Sequence, residues 1–353
     1  MLSRRRFLAA AALASLPVPG WAEAGSPALL AAAREPSGSF ALFGLTDTGG
    51  IAFRIALPAR GHAAAAHPTR AEAVAFARRP GTFALVVDCA AGRLAHRLDA
   101  PAGRHFYGHG AFLDGGRVLA TTENAIQDGT GRLGLWDAMN GYARMGEVAT
   151  GGIGPHEVLR LPGTEILVVA NGGILTRPEM GRDKLNIDTM RPSLVYVDGD
   201  RVVEQVALPE ALHKASIRHL AARDDGLVAV AMQWEGPEDP SVPLLALHRR
   251  GEPLRPRQAG PAEQARMQGY AGSVAFSGDG TEVAITGPRG GVAQVFDPAG
   301  DGLPRLVHRL DICGAAPLGA GLAFTDGTGG LIGPGLVAKL DLAWDNHLVA
   351  APT

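Results

Sequence analysis

Short apolar runs recur along this chain in a fixed phase, and no other feature constrains the fold as strongly. Between residues 153 and 198, three apolar segments (158–161, 166–170 and 193–197) are separated by the turn Pro162-Gly163-Thr164 and by a polar excursion. Two β-rich runs across a Gly-containing turn read as a hairpin, and the third run extends it to a meander. Strand, turn, strand, loop, strand is most of one propeller blade. The unit repeats. Fifteen residues separate His109 from Asn124 and also His156 from Asn171, while fourteen separate His219 from Gln233 and Ser273 from Gly287. Units opening at His67, His109, His156, His219 and Ser273 follow one another at 42, 47, 63 and 54 residues. A period in the forties with three or four short strands is the spacing of WD-type blades, and Trp136-Asp137, Asp114-Gly115-Gly116 and Gly278-Asp279-Gly280 fit that pattern. Residues 40–57 read as a partial first blade after an Ala-rich lead, and residues 344–350 as the strand that closes it. The expected fold is all-β, a seven-bladed β-propeller, with six or eight blades as the alternatives.

Composition agrees with many strands and turns. Of 353 residues 46% are hydrophobic, enough for a large core, and Gly 48 and Pro 25 supply the turns. A net charge of -2 leaves no basic footprint, so nucleic acid is not an expected partner. Ser3-Arg4-Arg5-Arg6-Phe7-Leu8, the apolar run 8–16 and Ala22-Glu23-Ala24 match a twin-arginine signal peptide over residues 1–24. The expectation is a periplasmic protein with one propeller domain over 25–353 and no transmembrane segment in the mature chain, since the leader run is too short to span a bilayer. Twin-arginine export carries folded proteins, so a cofactor could be loaded before export. Cys89 and Cys313 lie in different apolar runs, and two separate buried thiols are expected rather than a disulfide.

The first strand of each blade lines the central channel. His109, His156 and His219 occupy equivalent starts of three consecutive units, and His67 opens the preceding one. Converging imidazoles suit a transition metal such as iron, copper or zinc. A single histidine at a blade start is more often structural, bonded within its own blade; three in register, in the different contexts GHG, GPHE and IRHL, bring the structural and shared-site readings close to even. A second, polar constellation follows the second strand of each unit: Glu123-Asn124, Asn171, and Gln233-Trp234-Glu235, joined by Glu157, Arg218 and Arg289. Ordinary turn chemistry accounts equally well for Asn171-Gly172-Gly173, whereas an aromatic between two polar groups at Trp234 suits a ligand wall. The insert 174–192 is rich in charge and leaves from the histidine face, as a flap or a lid would. No nucleophile elbow, P-loop, CxxC or HExxH spacing is present.

The segments Tyr107-Gly108-His109-Gly110, Thr121-Thr122-Glu123-Asn124, Gly154-Pro155-His156-Glu157, Val169-Ala170-Asn171-Gly172-Gly173, Ser216-Ile217-Arg218-His219-Leu220, Gln233-Trp234-Glu235-Gly236 and Pro288-Arg289-Gly290-Gly291 together resemble a family of twin-arginine-exported periplasmic propellers with YVTN/WD-like repeats, defined only by a domain of unknown function. The resemblance covers essentially the whole mature chain. It implies a seven-bladed periplasmic propeller, often encoded beside imelysin-like metal-uptake proteins, and brings no established activity. The leading expectation is therefore a monomeric periplasmic propeller that binds a transition metal or small ligand at its channel mouth, within metal acquisition and with imelysin-like proteins as partners. A non-catalytic interaction scaffold is the alternative, and a metal-dependent enzyme of lactonase or oxidoreductase type a second one.

Overall fold

The computed structural model describes residues 19–77, 83–181 and 183–352, apart from the Pro178 side chain. The twin-arginine motif lies outside the described residues. Seven four-stranded antiparallel sheets follow one another in chain order. Each begins at the channel and ends at the rim, which makes the molecule a seven-bladed propeller. The innermost strands of blades two to seven are Gly61–Ala66, Arg104–Leu113, Pro155–Arg160, Ala215–Ala222, Ser273–Phe276 and Ile312–Leu318. The first blade takes its innermost strand from the far end of the chain. Ala343–Ala350 pairs with Leu29–Arg34 through Leu29 opposite Ala350, Leu30 opposite Val349 and Ala31 opposite Leu348.

Closure thus comes from the expected C-terminal segment, and residues 29–34, read as an Ala-rich lead, are a full strand of the first blade. The second blade also starts earlier than the sequence reading placed it. Its channel strand is Gly61–Ala66, so His67 stands at that strand's end. The strand GHAAAA has no β-branched or aromatic residue, and its weak β-propensity hid it.

The second strand of each blade is covered on both faces by neighbouring blades. Leu167–Asn171 (LVVAN) and Val283–Gly287 (VAITG) are accordingly continuous buried runs. Outermost strands such as Arg93–Asp99 and Arg201–Ala207 are exposed along most of their length. Seven apolar clusters form the core, one at each contact between blades. Cys89 lies in the cluster between blades one and two, Cys313 in that between blades seven and one, and both are free and buried. Burial pushes both thiols up to about 12, which leaves them unreactive.

Residues just before the expected cleavage point also pack. Trp21 is buried, and its Nε1–H donates to the His67 carbonyl at 2.9 Å. Cleavage near Gly25 would remove that contact. No described helix is long and apolar enough to cross a membrane.

Candidate metal centre

Six of the seven innermost strands break register with their neighbour at the channel. In five, the irregularity falls on or directly beside a histidine: His62, His109, His156, His219 and His347. A bulge adds one residue to one strand, bends it, and re-aims the side chain there. Repeated around the ring, it turns five imidazoles from five blades onto one axis. Gly108, at φ +98, makes the approach feasible. A Cβ at that position would meet His62 Cδ2 at 2.6 Å.

His109 is the centre of the group. Its ring centroid stands 4.9 Å from His62, 5.2 Å from His156, 5.8 Å from His219 and 4.8 Å from His347. The ligand nitrogens of His62, His109 and His156 lie within 4.8 Å of one another, and so do those of His109, His219 and His347. All except His62 are buried. Glu157, next to His156, reaches the same group. Its Oε2 lies 2.9 Å from His219 Nδ1 and its Oε1 lies 3.9 Å from His109 Nδ1. The Leu220 N–H also donates to Oε2, at 3.3 Å. A carboxylate against Nδ1 fixes the tautomer and presents Nε2 as the ligand atom, as in carboxylate–histidine–metal arrangements.

The electrostatics favour neutral rings. Burial, then the neighbouring His347 and His219, holds His109 well below the usual range. His156 is lowered by burial and then by Arg218, and His219 falls to about 3 for the same two reasons. Burial raises Glu157 to about 7, against the opposing pull of His347. Neutral imidazole is the form that binds metal, and two overlapping triads of them sharing His109 suit a borderline cation. His156 Nδ1 is buried with no hydrogen-bond partner. Such an orphaned atom is expected where a ligand completes the site.

The cluster separates two cavities. One, of about 800 Å³, is lined by His109, Glu157, His219 and His347. The other, of about 600 Å³, opens at the loop face and is bordered by His62, His156 and His219. Arg218, Gln233, Trp234, Glu235 and Arg289 from the sequence-derived set line this second cavity, as do Ile174, Thr176 and Lys184 from the insert. The insert is anchored. Met190 and Ile174 are buried, and Asn186 Oδ1 accepts from the Leu175 N–H at 2.7 Å.

Four sequence candidates lie elsewhere. His67 is turned away from the channel: its Nδ1 accepts from the N–H groups of Thr69 and Arg70 at 3.1 and 3.0 Å, while Nε2 meets the Gly116 carbonyl at 3.0 Å. Glu123 is buried inside blade three, where Arg144 grips it at 2.6 and 2.9 Å and Thr121 donates at 2.8 Å. Asn171 Nδ2 donates to the Thr150 carbonyl at 2.9 Å, tying blades three and four together. Asn124 Nδ2 reaches the Thr176 carbonyl at 3.4 Å. None of the four borders either cavity. Conversely, His62 and His347 belong to the cluster and were not singled out. A signal for His62 existed, since it precedes His109 by the same 47 residues that separate His109 from His156.

No curated protein matches the chain. Among solved structures, the Kuenenia stuttgartiensis hydrazine synthase is similar with a TM-score of 0.54 at 16% identity, over 73% of this chain and 70% of that one. At that identity the likeness concerns fold alone. The family described as "Protein of unknown function (DUF1513)" matches residues 55–351, and the chain belongs to it.

Proposed function

We propose that this protein is a periplasmic metal-binding propeller that holds one transition metal ion among its channel histidines, in the service of metal acquisition. The observation carrying the proposal is the convergence of His62, His109, His156, His219 and His347 from five blades into two overlapping triads that share His109. A structural histidine is bonded to backbone away from the channel, as His67 is to Thr69, Arg70 and the Gly116 carbonyl of the next blade. These five face one another instead. Iron, copper and zinc all accept imidazole, and the excess of nitrogen donors over oxygen donors favours copper or zinc over magnesium or calcium. The ring packing leaves room for selection among donors: three or four histidines would bind the ion directly, with Glu157 orienting His219 and His109 from behind.

A metal-dependent enzyme is the second reading. It is favoured by the cavity of about 600 Å³ over the cluster, a volume suited to a small substrate.

Elemental analysis of protein purified from the periplasm tests the proposal. One equivalent of a transition metal, removed by chelation and restored on reloading, is expected. Protein free of metal after exposure to iron, copper and zinc in turn would defeat it. Export is proposed from the leader, and replacing Arg4 and Arg5 with Lys should leave the protein in the cytoplasmic fraction.

A further inference from the structure

The loop-face cavity carries more positive charge than the histidines require. Lys184, Arg218 and Arg289 border it against Glu235 and Asp311. Arg218 is the decisive group. It sits at the irregularity of its strand, beside His219, and is only 8% exposed. Its Nε is buried with no hydrogen-bond partner, and among the described residues its one ion pair is a long contact of 3.4 Å from an NH2 nitrogen to Glu235. Glu235 is shared with Lys184. A buried guanidinium left so incompletely paired is costly unless an anion completes it.

Neighbouring groups define the class of anion. Trp234 and Tyr270 supply aromatic walls, and the Arg289 guanidinium lies 4.3 Å above the Tyr270 ring. His62, His156 and His219 form the floor. A mostly polar and charged lining with two aromatic rings set in it suits a polar organic anion, whose carbon skeleton can lie against the rings. The planar fork of arginine matches a carboxylate.

We propose that this cavity binds a small organic di- or tricarboxylate, with one carboxylate paired to Arg218 and an oxygen of the same molecule entering the coordination shell of the channel metal. The coordination half of this proposal rests on the metal-binding reading, whereas the Arg218 half does not. A metal would then be bound together with its chelator, and the chelator would be recognised by its carboxylates.

The test uses citrate and inorganic phosphate as probes in titration calorimetry, on chelator-treated full-length protein and on protein loaded with one equivalent of zinc. Citrate should bind both forms, more tightly with zinc present. Arg218→Met should weaken citrate at least tenfold in both forms. Arg289→Met, a change in a more exposed side chain, provides a second variant should Arg218→Met fail to fold, and should weaken citrate severalfold. Equal citrate affinity in the wild type and in whichever of these variants folds would overturn the proposal, and so would tighter binding of phosphate than of citrate. Citrate that strips the zinc without forming a ternary complex would overturn the shared coordination. If zinc does not bind but citrate binds in an Arg218-dependent way, the metal reading fails and the carboxylate site stands. If zinc binds and citrate does not, the carboxylate site fails alone.

Discussion

The Nε2 atoms of His62 and His109 lie 3.2 Å apart, from residues on the innermost strands of adjacent blades. Two nitrogens each about 2.1 Å from one zinc-sized ion stand about 3.0–3.4 Å apart in octahedral or tetrahedral geometry. The pair therefore has the spacing of two ligands to a shared cation. Without metal, the same distance suits a hydrogen bond between neutral rings in which one Nε2 carries the proton.

If that spacing reflects coordination, His62→Ala and His109→Ala should each lower zinc or copper affinity by at least tenfold. His347→Ala, on the closing strand, should lower it too. His67→Ala should leave affinity unchanged, because its ring faces Gly116. Competition with a chromophoric chelator reads all four variants. Equal affinity in His62→Ala, His109→Ala and wild type would remove the shared site.

Glu123 stabilises blade three without touching ligand. It is fully buried, so Arg144→Ala would leave its carboxylate unpaired at a cost of about 3–5 kcal/mol. Urea denaturation should show that loss, while metal stoichiometry in the folded variant stays at wild-type value. Loss of metal from a folded Arg144→Ala protein would return Glu123 to the site.

The acid stability of chelator-treated protein should depend on His67. Burial, with Arg70 nearby, lowers its pKa to about 4 from an ordinary 6.5. Between those values the unfolded chain holds a proton that the folded one excludes, so stability must fall as pH drops from about 6.5 toward about 4. The neutral channel histidines act in the same direction, so the measurement is a difference. His67→Gln should show a shallower decline in melting temperature across that window. An identical decline in wild type and variant would exclude His67 as a contributor.

The closing strand should be as important as any interior one. Trp344 is buried and meets Phe43 edge-on at a centroid distance of 5.7 Å. Trp344→Ala should cost about 3–5 kcal/mol, read by urea denaturation with metal chelated so that binding adds nothing to the folded state. A loss well under 1 kcal/mol would mean that closure of the ring contributes little.

Much of this architecture was legible before any coordinates. Apolar runs in Val283–Gly287 and Leu167–Asn171 announce strands covered on both sides, and the period near 47 residues gives the blades. His109, His156 and His219 were identifiable because blade repetition places equal positions around one axis. Reading the second blade from His67 rather than His62 came from a strand of alanines whose local signal is weak. His347 needed the knowledge that residue 350 pairs with residue 29, a contact between the two ends of the chain.

The sequence by itself determined the repeat and which runs are buried, and made seven the expected blade number with six or eight open, because periodic burial is written in the order of the side chains. Tertiary structure alone decided which polar side chains face the channel. Side-chain direction alternates with every residue along a strand, so a one-residue irregularity reverses it. Such irregularities accompany the turn of His62, His109, His156, His219 and His347 toward one another. Glu123 and Asn171, equally polar and equally well spaced, are instead bonded within and between blades. Spacing along the chain cannot distinguish the two outcomes, since the difference lies in the register of hydrogen bonds with the neighbouring strand.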